Sequence, residues 1–214
     1  VGVPPGQNWL QPMQIIGGTL DQSLKSGLNL VSPEYFSVLR IPVLQGRTLT
    51  REELLRGAHV AVISKTFAQR YFPGSDPIGR LIVPTELTQV PRTLLLSPNL
   101  DQPYQVIGVV GDVRHEGLDH DLKPEMFVPF AQAPQPETVS TIVVRTAVDP
   151  AAMTTTLRKI LSAIDAALPL DQVRTMEQLV SSSVGQPRFQ TFLLAVFAML
   201  ALAMFARLLA IFGG

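Results

Sequence analysis

The chain contains no cysteine. That excludes a disulfide framework, a thiol nucleophile and a thiolate metal site, and it leaves the compartment open. Charge is scarce as well. Charged residues make up 16% of the 214, against a usual share of about 25%, and the deficit is concentrated at the C-terminus. The 17 basic and 17 acidic residues cancel, and there is no Lys/Arg run. A nucleic-acid partner needs a basic surface that releases counterions from phosphates, so the neutral balance argues against one.

Several chemical signatures are missing. There is no G-x-x-x-x-G-K-[ST] loop, so nucleotide hydrolysis is not encoded in these residues. Gly108-Val109-Val110-Gly111 lacks the G-x-G-x-x-G spacing of a dinucleotide site. Ser181-Ser182-Ser183 sits in no G-x-S-x-G elbow and reads as the end of a helix. The start, Val1-Gly2-Val3-Pro4-Pro5-Gly6, has neither the basic beginning nor the apolar core of a signal peptide, and no initiator Met. The chain is therefore expected to be a piece of a longer protein.

What is present is a series of strand and helix signals. A length of 214 residues suits one large domain or two small ones. Residues 1–27 read as the tail of an upstream segment, with a weak strand at Met13–Ile16. Leu28–Val31 alternates as a strand does. Ser32 and Pro33 offer an N-cap and a first helical position, for a short helix turning Tyr35, Phe36 and Leu39 inward. Ile41–Leu44 is extended and Gly46 closes it, before a polar helical stretch over 50–54. His59–Ile63 is a buried strand, and Ser64 caps a helix carrying Phe67, Ala68 and the pair Tyr71-Phe72, which Pro73-Gly74 ends. The aromatic pair reads as core. A strand follows at Leu81–Val83, then a Pro-rich loop over 84–103.

Tyr104–Val113 is the strongest strand, and its glycines predict a bulge or a close backbone approach. Met126–Phe130 is a shorter strand, 131–138 a linker and Thr141–Arg145 another strand. Asp149 and Pro150 start a helix whose apolar residues Met153, Leu157, Ile160, Leu161 and Ile164 share one face. A short strand at 172–174 and a helix capped by Thr175 complete the polar part. Trp9 is either an exposed contact residue or a local anchor.

The last feature is a long apolar run. Phe192 to Ala206 is fifteen residues without a charge or polar side chain. Arg207 interrupts, and Leu208 to Phe212 resumes. From Phe192 to the end the run would make about 34 Å of helix, matching a hydrocarbon core about 30 Å thick. It is apolar all round, with no polar face, and so reads as a membrane-spanning helix, with Arg207 near enough to one end to snorkel.

The densest polar cluster is Asp112, Arg114, His115, Glu116, Asp119, His120 and Asp121. Such side chains can ligate zinc or another divalent ion. However, His115 and His120 are five apart in a Gly-containing loop rather than four apart on a helix. We read the cluster as a solvated loop after a strand. A metal-dependent hydrolase using His115, His120 and nearby carboxylates is the competing enzymatic reading. No catalytic, cofactor-binding or metal-ligating residue is assigned, and no cofactor is expected.

Val31-Ser32-Pro33-Glu34-Tyr35-Phe36 followed by Ile41-Pro42-Val43-Leu44-Gln45-Gly46-Arg47 resembles a segment of the MacB-like and FtsX-like ABC transporter permeases. Val60–Ser64, Ala68–Gly74, Asp76–Arg80 and Val106–Arg114 are similar to later blocks of that family. Pro187-Arg188-Phe189 resembles the lead into its second membrane helix. The likeness runs in order from about residue 28 to the C-terminus and is closest to the duplicated permeases common in acidobacteria. Arg207 and the ending Leu209–Gly214 depart from the family pattern.

The resemblance implies an α+β, two-lobed extracytoplasmic domain followed by a transmembrane helix. A βαβ porter-like lobe would comprise 28–56 and 139–186. A β-rich lobe, 57–138, would be inserted in it, and the helix would occupy 187–214. The implied role is non-catalytic, relaying ATP-driven motion in an efflux or lipoprotein and lipid export system. The implied location is a bacterial inner membrane, in a multi-pass protein with this domain on the periplasmic side. The implied partners are a cytoplasmic ABC ATPase, a second permease copy, the lipid bilayer and a periplasmic adaptor, with no nucleic acid. The alternative is a membrane-anchored module that binds a ligand or protein without a transport cycle.

Overall fold

A computed structural model describes residues 10–17, 24–85, 102–113, 121–132, 141–165, 173–178 and 197–199. The chain divides into two compact units, the first running to Asp149 and the second from Pro150. The first holds strands β1 (Leu10–Ile15), β2 (Leu24–Val31), β3 (Val43–Gly46), β4 (Val60–Ser64), β5 (Leu81–Pro84), β6 (Tyr104–Val110) and β7 (Glu125–Pro129). Three short helices interleave them: α1 (Tyr35–Leu39), α2 (Arg51–Leu55) and α3 (Lys65–Tyr71). The second unit opens with helix α4 (Pro150–Ile164), and its described residues 176–178 and 197–199 are also helical.

All seven strands join one sheet in the order β3-β6-β4-β7-β2-β1-β5, and β5 pairs back onto β6. Six strands therefore close into a ring of pairings, which leaves no free edge among them. β5 takes the start of β6, at Tyr104 and Gln105, while β3 takes its end, at Gly108 to Val110. The sheet is mixed: β2–β7 and β4–β6 are parallel, the remaining pairs antiparallel. Segments 28–56 and 57–138 both supply strands to it, through β2 with β7 and β3 with β6.

Side-chain alternation sorts the core into two faces. One cluster takes Met13, Leu24, Ala61, Ile63, Ile82, Tyr104, Val106, Met126 and Val128, at least one residue from every ring strand, and Phe67 and Phe72 from α3 and its end join it. The second takes Val31, Phe36, Leu49, Val62, Ile107, Val110 and Phe127 on the opposite face. Phe36 packs edge-on to Phe127 with ring centroids 5.3 Å apart, which seats α1 on β7.

Neighbours such as Val62 and Ile63, or Phe127 and Met126, fall in different clusters, as a period of two requires. β6 breaks that period: Val106 and Val109 share one face, Ile107 and Val110 the other. Three-residue spacing on one face demands an extra residue in the strand. The pairing with β4 slips between Val106 and Gly108, leaving Ile107 as that residue. The expected bulge in β6 is thus present.

Several boundaries differ from the sequence expectations. Ser32 and Pro33 do not start α1. They form a turn in which the Ser32 carbonyl accepts from Tyr35 N, and the helix begins after Glu34 with no side-chain cap. The cap position is displaced by two residues, from Ser32 to Glu34, whose own conformation is helical. β6 ends at Val110 rather than Val113, although Gly111 N still donates to the Pro42 carbonyl beside β3. The strand expected over 141–145 is absent: those residues carry no ladder, although the sequence is β-branched. Val173 and Arg174 are likewise not in a strand.

Other expectations hold. Ser64 caps α3, its Oγ accepting from Phe67 N at 3.2 Å. α2 has a full capping box between Thr50 and Glu53. Pro150 is the first residue of α4, along which Ile160 and Ile164 are exposed. No helix among the described residues is long and apolar enough to cross a membrane. The apolar run from Phe192 lies outside the described residues except for 197–199, which are helical and exposed. Trp9 and Ser181–Ser183 lie outside them too.

Candidate functional site

The sequence blocks that stand out as motifs converge on three junctions of the ring. The first is a backbone crossing where β3 leaves β6. Arg47 N donates to the Ile107 carbonyl at 3.0 Å. A Cβ placed on Gly46 would run into that same carbonyl oxygen, and one on Gly108 would run into the carbonyl oxygen of Arg47. Gly46 also has φ +67°, in the left-handed region that favours glycine. The two glycines therefore let two backbones touch. Gln45 Nε2 donates to Asp76 Oδ1 at 2.9 Å, and the same oxygen accepts from Ile78 N at 2.9 Å, so the Asp76–Arg80 turn is tied to β3.

Arg47 then locks the crossing to α2. Its guanidinium donates to both Glu53 oxygens, at 2.6 and 3.0 Å. Glu53 Oε2 also accepts from Thr50 N at 2.9 Å. The Arg47 hydrogen bond holds the Glu53 carboxyl below its usual range, and Glu53 raises the guanidinium in return. A bidentate fork of this kind fixes direction as well as distance.

The second junction is the start of α3. Ser64, fully buried, accepts from Phe67 N and, through the same Oγ, from Glu125 N of β7 at 3.1 Å. Asp112 Oδ1 accepts from Thr66 N at 2.7 Å. A carboxylate there complements the exposed N–H groups of the first turn. At the far end of α3, Tyr71 OH donates to the Lys25 carbonyl at 2.8 Å and pins the helix to β2.

The third junction is polar and buried beneath α1. Glu125 is 1% exposed at the head of β7, and Tyr35 sits close enough to feel its charge. Burial, and then that carboxylate, push the Tyr35 phenol far above its ordinary value near 10. A raised tyrosine holds its proton in the native state after the unfolded chain has lost it, so stability is complete below about pH 10 and falls above it. We expect Tyr35→Phe to lose less stability between about pH 10 and 12, by up to roughly 1.4 kcal/mol per pH unit. Chemical denaturation across that range measures it. Equal slopes for the two proteins would refute the assignment. Nothing in the sequence singled out Glu125, a lone acid after Pro124; only the ring places it inside.

Of the acidic and histidine cluster, Asp112 is used to cap α3 and Asp121 is exposed. Arg114, His115, Glu116, Asp119 and His120 lie outside the described residues. Among the described residues no group of three His, Cys, Asp or Glu could hold a metal ion. Tyr71 and Phe72 pack with Phe67 in the core, as expected.

What this geometry defines is a mixed α/β domain whose most distinctive residues are spent on holding turns, crossings and caps. The chain belongs to the MacB-like periplasmic core domain family, whose model matches residues 5–163. It is 31% identical over 102 residues to the macrolide export ATP-binding/permease protein MacB of Azoarcus sp. (strain BH72), covering 48% of this chain and 13% of that protein. It is 27% identical over 93 residues to the MacB of Mannheimia succiniciproducens, covering 43% of this chain and 12% of that one. The match thus spans about an eighth of the length of these relatives. Among solved structures it is similar to the periplasmic region of MacB from Actinobacillus actinomycetemcomitans. There the identity is 17% and the TM-score 0.49, covering 72% of this chain and 63% of that one.

Proposed function

We propose that this chain is the extracytoplasmic part of an ABC transporter permease and that it relays ATP-driven motion without chemistry of its own. The observation that carries this is the family match over residues 5–163. The sequence relatives, named as macrolide export ATP-binding/permease proteins, support export as the direction. In this reading the apolar run over 187–214 is a membrane-spanning helix of a multi-pass protein in a bacterial inner membrane. A cytoplasmic ATPase supplies the stroke, a second permease copy completes the transporter, and a periplasmic adaptor docks outside. The cargo is of efflux or lipoprotein and lipid type. In this reading 28–56 and 139–186 belong to the porter-like lobe and 57–138 to the insertion, although β2 and β3 pair in the same sheet as strands of 57–138.

The mechanical logic is that a body closed by its own strand pairings moves as one piece when its attachment shifts. Deleting residues 10–165 from the full permease, reconstituted with its ATPase in proteoliposomes, tests this. We expect basal ATP hydrolysis within about twofold of the intact protein, and export reduced at least tenfold, because in this reading hydrolysis belongs to the ATPase and the domain completes the path. Export at the intact rate would overturn the proposal. Ligand capture by the separate domain with no ATP-dependent export in the intact system would favour the tethered binding module instead.

A further inference from the structure

We infer that Arg145 is a latch that hitches the strap leading to α4 onto the C-terminal end of α1. The strap, residues 141–149, is the last stretch of the first unit and runs directly into Pro150. It forms no strand, and Ile142, Val144 and Val148 are exposed along it. Such a stretch has little apolar burial to hold it in place.

A hydrogen bond from Arg145 does reach across from it to the ring side. Arg145 Nε donates to the Val38 carbonyl at 2.6 Å, across 107 residues of sequence. The acceptor is not arbitrary. α1 ends at Leu39, and Arg40 turns left-handed with φ 56°. Arg40 N reaches the Phe36 and Ser37 carbonyls, and Ile41 N reaches that of Phe36. These bonds leave the Val38 carbonyl to another donor, at the end of a helix where positive charge is favoured.

The consequence is mechanical. α1 is seated on β7 through Phe36 and Phe127, and β7 is a strand of the ring. Arg145 thereby joins the strap to the ring by a route that the chain itself does not provide. Released, the strap would lose its long-range hydrogen bond to the ring side of the first unit.

The absence of cysteine makes a direct test available, because introduced cysteines are the sole labelling sites in these 214 residues. Nitroxides on Val148→Cys and Leu55→Cys, both exposed and both in the first unit, report the strap-to-ring distance by pulsed electron resonance in the full protein. A second pair, Leu55→Cys with Leu81→Cys, reports the ring alone. We expect Arg145→Ala to broaden the first distribution about twofold or more while leaving the second unchanged, since a charged hydrogen bond is lost without any core change. Arg145→Lys, which can still donate to the carbonyl, should restore part of the narrowing. An unchanged first distribution in Arg145→Ala overturns the latch. Equal broadening of both pairs also overturns it, because Arg145 would then be holding the fold at large. The outcome does not depend on transport, so it stands or falls apart from the transporter reading.

Discussion

Gly108→Ala is expected to destabilise the first unit by about 3 kcal/mol, at the upper end of the range for overpacking. The added methyl would lie within van der Waals contact of the Arg47 carbonyl oxygen, 3.0 Å from its carbon and 3.2 Å from its nitrogen. All of these are main-chain atoms, so no side chain can rotate away. The main chain is also restrained from three sides. Arg47 N is bonded to the Ile107 carbonyl, its guanidinium is clamped by Glu53, and Gln45 is tied to Asp76. Relief would require β3 to move off β6, which loses the bond at Arg47 and exposes Ile107. In a chain of this size the loss corresponds to a fall in melting temperature of roughly 10 °C.

Gly57→Ala is the control that separates crowding from backbone preference. Gly57 has φ +60° with nothing within 4 Å of its added Cβ. Its substitution carries only the left-handed penalty of about 1–2 kcal/mol. If the two substitutions cost the same in thermal denaturation, the crossing is not the tight point described above.

The crossing also shows how far the residues announce the fold. The glycines of β6 predict a bulge or close approach, and both occur, at Ile107 and at Gly108. That inference is local: a glycine inside a strong apolar run has few other purposes. Ser64 as a cap, the Pro150 helix start and the buried β4 strand are legible for the same reason, since each depends on neighbours within four residues. The misses are not local. Thr141–Arg145 has the composition of a strand, yet a strand exists only where another offers a ladder, and among the described residues none does. The closing of β5 onto β6 joins residues more than twenty apart, and no pattern in either segment names its partner.

The candidate site is less legible still. Asp112 stood out because it opens a cluster of acids and histidines, but its observed use is to accept from Thr66 N. The same side chain serves either purpose, and only its distance to α3 decides. Glu125 had no signal at all, because a buried carboxylate and a surface one are the same letter. Arg145 drew notice only as the end of an expected strand. Its bond to Val38 depends on where α1 stops, and that in turn depends on Arg40 adopting a left-handed conformation usually left to glycine or asparagine.

Ser64→Ala should cost about 3 kcal/mol, more than an ordinary N-cap substitution, which costs roughly 0.5–2 kcal/mol. The reason is that one hydroxyl oxygen serves two elements. It accepts from Phe67 N, in the first turn of α3, and from Glu125 N, at the head of β7. The residue is fully buried, so water cannot replace the lost acceptor. Each orphaned donor costs about 1–3 kcal/mol when it is left in a dry interior. Asp112 cannot compensate, because its carboxylate is already engaged at Thr66 N. Asp112→Ala removes a single acceptor at a half-buried position and is expected to cost only about 1 kcal/mol. Amide hydrogen exchange distinguishes the shared hydroxyl from a simple cap: Ser64→Ala should lower protection at both Phe67 and Glu125, whereas Asp112→Ala should lower it near Thr66 alone. Loss confined to α3 in Ser64→Ala would mean that β7 is held by its neighbours without the serine. The hydroxyl would then be a helix cap and not the tie between α3 and the ring.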